Sequence, residues 1–296
     1  MTLQKKATVV ASLTSALLII IKLTIGLLSG SVAVLASAID SVLDFFVSLF
    51  NFFAVTKSEL PADNKFNYGR GKIEALAAVI EGTVIMVSGI YIFYAAIKKY
   101  FDGDETQMLG ISIIVMVISL VITIVLVIYL NIVAKKTRSL VIKSDALHYK
   151  TDIYTNAAIL ISLVAVNFSG YEVIDSLVGG LIAIYIIYSA YEIIQEGVYV
   201  LLDGALDEDI VSGIKETIVK EKGVTDFHFL RTRHSANTNF VDVHLVFTPD
   251  VLLLEAHGVS DRIEEAIQAL DKDNAWVMNI HLDPYDDSHI DAHHQR

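Results

Sequence analysis

Asp40 and Asp44 lie four residues apart in the run A-S-A-I-D-S-V-L-D-F-F, and His148 and Asp152 repeat that spacing in S-D-A-L-H-Y-K-T-D. In an α-helix each pair shares one face, with Cβ atoms about 5–6 Å apart. Both runs sit in apolar stretches, where an ionisable side chain inside a bilayer costs roughly 2.5–3.5 kcal/mol and so marks a functional site. If the two helices face each other, three carboxylates and one imidazole converge. That oxygen and nitrogen set suits a four-coordinate Zn²⁺ with bonds of about 2.0–2.2 Å. Cysteine is absent, which excludes disulfides, thiol catalysis and thiolate metal sites.

Such a set implies a mechanism. Three carboxylates and a neutral imidazole carry −3, and a bound dication leaves −1. Ligands bind only when deprotonated, so metal and protons compete for the same groups. His148, whose side chain ordinarily titrates near pH 6.5, is the natural switch. A cavity opening alternately to each side would then move metal one way and protons the other.

The elements that must position these residues are membrane spans. The chain has 296 residues, 54% hydrophobic and 19% charged, too apolar for an ordinary soluble enzyme. Its net charge of −12 argues against a nucleic-acid partner. Stretches of the length needed to cross a bilayer fall near 8–29, 32–55, 74–97, 109–134, 144–167 and 176–200. With a cytoplasmic N-terminus, the inner loops receive Lys5, Lys6, Lys57, Lys65, Arg70, Lys72, Lys135, Lys136, Arg138 and Lys143, and the outer ones only Lys98 and Lys99. The positive-inside rule therefore places both termini in the cytoplasm. Lys22 and Glu81 read as isolated charges that snorkel or pair between helices. Asp145 reads as solvated at a helix end, and Asn51 and Asn156 as glue between helices.

Beyond residue 205 the composition changes. Residues 206–296 hold 18 Asp or Glu and 8 Lys or Arg, hence −10 of the total charge. A helix opens at Asp207, Glu208 and Asp209, which suits its dipole. Strands near 225–233 and 239–247, a helix near 254–270 and a strand near 276–283 complete an αββαβ domain of marginal independent size. Residues 285–296 read as a disordered tail carrying His289, His293 and His294. On the last strand His281 and Asp283 share the face opposite Trp276, Met278, Ile280 and Leu282. With His228, His244 and His257 they make a second candidate site, binuclear if Asp283 bridges. His234 reads as a solvated loop residue.

The motifs S-A-I-D-S-V-L-D, G-R-G-K-I-E, D-A-L-H-Y-K-T-D, V-H-L and I-H-L-D-P give the chain a resemblance to the cation diffusion facilitators, in particular the bacterial YiiP-like zinc and ferrous-iron efflux branch. The likeness runs to about Tyr285. It implies six transmembrane helices over 1–204, a metallochaperone-like α/β cytoplasmic domain over 205–284, and a homodimer in the inner membrane that exports divalent cations against protons. It implies that Asp40, Asp44, His148 and Asp152 form the transport site, and that His228, His244, His257, His281 and Asp283 form the cytoplasmic one. By the same likeness Lys72 and Asp203 match a charge interlock near the dimer interface, and Leu147 a hydrophobic gate. The loop after the second span departs from the pattern. Relatives carry an Asp and two His there, whereas here Phe66 and Arg70 occupy the His positions and only Asp63 remains. A guanidinium offers no lone pair to a metal, so Arg70 is expected to pair with Asp63 instead. Two rival readings are weaker. An intramembrane metallohydrolase would show a motif such as H-E-x-x-H and an open coordination position, and a membrane-anchored sensor leaves the paired ligands inside two spans unexplained.

Overall fold

The computed structural model describes the backbone of residues 1–29, 32–102, 110–169 and 173–291. Within these, side chains are described except at 29, 32–36, 99, 102, 110–112, 159–169, 173–175, 290 and 291. The chain divides into two units, Met1–Val198 and Tyr199–Arg296.

The first unit is helical: α1 (Leu3–Ser29), α2 (Val32–Ser58), α3 (Lys72–Asp102), α4 (Gly110–Thr137), α5 (Leu140–Ser169) and α6 (Val173–Leu201). Helices α1, α3, α5 and α6 begin before the apolar runs that predict them, and all but α1 end beyond those runs. Helical hydrogen bonding continues past the bilayer edge wherever water or side chains complete the ends. Among the described residues five helices are long and apolar enough to cross a membrane: α1, α2, α3, α4 and α6. The sixth predicted span, α5, carries Lys143, Asp145, Lys150 and Asp152 in its first half, and these charges depress its hydropathy. Helices α1, α2, α4 and α5 pack against one another, and α3 lies on α5 and α2. Small residues permit the close approach, with Ala7, Ala11 and Ala146 buried beside Leu130, Ile142 and Tyr149. Lys5 pairs with Glu59 at 2.7 Å and ties the start of α1 to the end of α2.

The second unit holds α7 (Glu208–Lys220), β1 (Asp226–Ser235), β2 (Thr238–Val246), α8 (Leu253–Gln268), β3 (Ala275–Asp283) and α9 (Ser288–Asp291). The strand order is β1-β2-β3, the first pair antiparallel and the second parallel. Parallel pairing of β2 and β3 requires a crossover, which α8 supplies. Alternation on β2 sends Val241, Val243 and Leu245 against Ile214 and Ile218 of α7 and Ile263 and Ile267 of α8. Asp207 stands at the N-cap of α7 without a side-chain cap bond, so its charge acts only through the helix dipole. The expectation of a disordered tail is corrected for Ser288–Asp291. They form one helical turn, and Asp286 Oδ1 accepts the Ser288 N–H at 3.0 Å. His293 and His294 lie outside the described residues.

Candidate functional site

Within the first unit, α2 and α5 bring together Asp44, His148 and Asp152. One ligand atom from each lies within 4.8 Å of the others. His148 Nε2 is 3.1 Å from Asp44 Oδ1, and both side chains are mostly buried. Asp40, one turn earlier on α2, is exposed and outside this group. Its charge still acts on Asp152. The neighbouring Tyr149 anchors α5. It is 1% exposed, and its hydroxyl meets Ser15 Oγ of α1 at 2.6 Å and Ser48 Oγ of α2 at 2.8 Å. Three helices thus share one hydrogen-bonded node directly beside the imidazole.

Lys22 and Glu81 take the interhelical one of the two roles expected of them, whereas the expectations for Asp145 and Asn156 are corrected. Lys22 Nζ donates to Ser41 Oγ at 2.8 Å and to the Ser37 carbonyl at 3.2 Å, and it interacts electrostatically with Asp40, Asp44 and Asp152. The ammonium therefore offsets part of the negative charge of the carboxylates. Asp145 is not solvated but fully buried, as are Asn51 and Ser144, with Glu81 nearly so. Asn51 Nδ2 donates to Glu81 Oε2 at 3.1 Å, linking α2 to α3 as expected of helix glue. Asn156 instead donates within its own helix, to the Asp152 carbonyl at 2.6 Å. The signal for Asp145 was present: with His148 and Asp152 it falls at i, i+3 and i+7, one continuous helix face.

Within the second unit, register places His228 opposite His244 and His244 opposite His281 across the three strands. Asp283, 3% exposed, receives all three. Its Oδ2 lies 3.0 Å from His244 Nδ1 and 3.4 Å from His228 Nε2, and its Oδ1 lies 3.0 Å from His281 Nε2. A bulge between His228 and Arg231, with Phe229 at φ 51°, turns β1 so that the His228 ring reaches the cluster. His257 does not join it in this chain. It is exposed on α8, with Nδ1 3.9 Å from Asp261 of the next turn. His234, expected in a loop, is on β1, and its Nδ1 lies 2.7 Å from Asn239 Oδ1 across the hairpin. Asp287, which the sequence places in a solvated acidic tail beyond the last strand, lies 3.2 Å from His228 Nε2. Among the described residues these are the two groups of His and acidic ligand atoms able to hold a cation.

Residues 8–202 match the cation efflux transmembrane domain, and residues 206–285 match the cation efflux protein cytoplasmic domain. The chain belongs to the cation efflux family. Its members are membrane transporters, not enzymes. A cation-efflux pump FieF of Serratia proteamaculans (strain 568) is 36% identical over 282 residues, covering 95% of this chain and 93% of that protein. A FieF of Escherichia fergusonii matches with the same identity and the same coverage. A solved structure of a variant MamM CTD in its cadmium form is 15% identical, covers 27% of this chain and 98% of that one, and has a TM-score of 0.24.

The remaining motif residues can be located in this cation efflux chain. Leu147 is 6% exposed and lines a cavity of about 430 Å³ together with Lys135, Arg138, Lys143, Lys150 and Glu192. Lys72 begins α3. Asp203 Oδ1 accepts from Arg233 Nη1 at 3.3 Å. Asp203 has φ 58°, and the N–H groups of Asp203 and Gly204 return to the carbonyls of Val200 and Tyr199. That is a Schellman stop to α6, with Asp in the left-handed position that usually takes glycine.

In the loop before α3, Arg70 Nη2 pairs with Asp63 Oδ2 at 2.5 Å, and its guanidinium lies 4.3 Å from the Phe66 ring centre. Asp63 Oδ1 accepts the backbone N–H groups of Lys65 and Phe66, each at 2.8 Å. These two bonds, followed by the Arg70 interaction, hold the Asp63 carboxyl below its ordinary value. A carboxyl lowered in the fold stabilises it above the unfolded value of about 3.9, and that support disappears as pH falls through the lowered folded value. Protection of the Lys65 and Phe66 amides from hydrogen exchange, corrected for intrinsic rates, is therefore expected to hold from neutrality to about pH 4 and to decline below it. Asp63→Asn should remove the decline. Protection that still falls in the same range in Asp63→Asn would refute the assignment.

Proposed function

We propose that this cation efflux protein exports a divalent metal, zinc, from the cytoplasm in exchange for protons. The convergence of Asp44, His148 and Asp152 inside two membrane helices carries the reading, because three adjacent ionisable groups in a bilayer require a charged occupant or protons. Asp40 would supply the fourth ligand. Residues at i,i+4 spacing on a helix have Cβ atoms about 5–6 Å apart, within reach of one ion for both carboxylates. His148 then acts as ligand and proton acceptor, and Leu147 as the hydrophobic barrier beside it. An imidazole among carboxylates favours zinc over iron, manganese or cobalt, with cadmium able to follow by the same route.

In this reading the protein is a homodimer in the inner membrane with both termini in the cytoplasm. Lys72 and Asp203 form its charge interlock, and metal bound at His228, His244, His281 and Asp283 reduces repulsion between the acidic domains. The relatives named as cation-efflux pumps support the direction of transport.

Zinc uptake by sealed vesicles containing the purified protein tests the antiport. With an acidic interior, zinc is expected to accumulate inside, and collapse of the gradient should stop it. Protein that binds zinc but moves none under either gradient would refute zinc as cargo, and ferrous iron and manganese would be measured next. Light scattering of the detergent-solubilised chain checks the dimer, and a monomer at transport-competent concentration would refute it.

A further inference from the structure

Two side-chain atoms at the cytoplasmic cluster are buried and make no hydrogen bond: His228 Nε2 and Asp287 Oδ1. Unpaired buried polar atoms cost about 1–3 kcal/mol each, so they call for a partner. These two face each other at 3.2 Å. His228 Nε2 is also 3.4 Å from Asp283 Oδ2, which is 3.0 Å from His244 Nδ1. A tetrahedron with bonds near 2.0–2.1 Å to its centre has edges of about 3.3–3.4 Å. The three separations, 3.0, 3.2 and 3.4 Å, lie near those edges, and all four ligand atoms fall within 4.8 Å of one another.

We infer that Asp287, from the turn after β3, is a metal ligand that completes with His228, His244 and Asp283 a four-coordinate site for a divalent cation within a single chain. The inference rests on the proposed metal binding of the cytoplasmic domain and adds a residue to it. Two carboxylates and two neutral imidazoles around a dication leave no net charge, which suits a largely buried shell. The turn is built to present Asp287. Asp286 Oδ1 accepts the Ser288 N–H and so starts α9, while also lying 3.7 Å from His228 Nδ1, on the other side of the ring. By contrast, the second oxygen of Asp283 meets only His281 among the described residues of this cluster. That half-site lacks further ligands in one chain, whereas the first does not. The acidic segment past the strand therefore does chemistry that the αββαβ fold alone does not supply.

The test uses the full chain in detergent with Asp152→Ala present to disable the membrane site. Zinc affinity is read by competition with a chromogenic chelator, and coordination by the visible absorption of bound cobalt, which is intense in four-coordinate sites and weak in six-coordinate ones. Asp287→Ala and Asp287→Asn are expected to weaken the tightest zinc by at least about tenfold and to reduce the cobalt absorption, with the melting temperature of the metal-free protein unchanged. Unchanged zinc affinity and cobalt spectrum in both variants, while His244→Ala loses the metal, would overturn the role of Asp287 and leave the cytoplasmic site standing. If His244→Ala also binds as before, both the site and its fourth ligand are refuted.

Discussion

Asp152→Ala should abolish metal transport while leaving the chain folded. Asp152 contributes one of three ligand atoms gathered within 4.8 Å, and its removal deletes both a bond to the metal and one unit of negative charge. Loss of even an outer-sphere partner of a metal costs about 10–100-fold in affinity, so loss of a ligand should exceed about 100-fold. Vesicle flux driven by a pH gradient should fall to the level of protein-free vesicles. The fold should survive, because the helix is anchored elsewhere, through the Tyr149 hydroxyl and its two serine partners. Wild-type flux in Asp152→Ala would remove this residue from the transport site. Retained flux in Asp44→Ala and His148→Ala as well would remove the site itself.

The second large effect concerns packing. An ideal Cβ added to Gly197 of α6 would lie 2.6 Å from Val79 Cγ2 and 3.1 Å from the Ala75 carbonyl oxygen of α3. The same interface brings a Cβ at Gly89 to 2.9 Å from Ile187 Cγ1, and one at Gly82 to 3.0 Å from Ile194 Cγ1. A carbonyl oxygen cannot yield without moving its helix, and a helical valine holds one χ1 rotamer about 90% of the time. Gly197→Ala should therefore destabilise the transmembrane unit by about 1–3 kcal/mol, and Gly197→Leu by more. For Gly180, on the same helix, an added Cβ meets no atom within 4 Å among the described residues beyond its chain neighbours and its own helix backbone. Gly180→Ala should instead stabilise by about 0.5–1 kcal/mol through backbone entropy alone. Thermal unfolding in detergent decides between them: equal shifts for the two alanine variants would show that α3 and α6 do not approach this closely.

Much of this molecule follows from local chemistry. Twenty-residue apolar runs give membrane helices because each backbone polar group must be satisfied inside its own segment. Spacing of four puts Asp40 with Asp44 and His148 with Asp152 on common faces. Alternation on β2 and β3 separates Val241, Val243 and Leu245 from His244, and Leu282 from His281 and Asp283. The acidic start of α7 and the Arg70–Asp63 pairing were legible for the same reason, since each partner is a few residues away.

What the sequence left open depends on which surfaces meet. Asp145, His148 and Asp152 share one face of α5, but only packing against α2 and α3 decided that Asp145 is buried and that Lys22 approaches the carboxylates rather than the membrane edge. Asp40 and Asp44 carry the same side chain one turn apart, and the crossing of α2 with α5 selects Asp44. In the cytoplasmic unit, periodicity put five candidate residues on polar surfaces, while strand register aligned three histidines, and the tertiary fold left His257 exposed on α8 and brought Asp287 to His228 of β1. The sequence determined the elements and their polar faces, because a residue's neighbours at i+2 and i+4 are set by backbone geometry. The tertiary structure decided which faces touch, because that depends on shape complementarity summed over residues far apart in the chain.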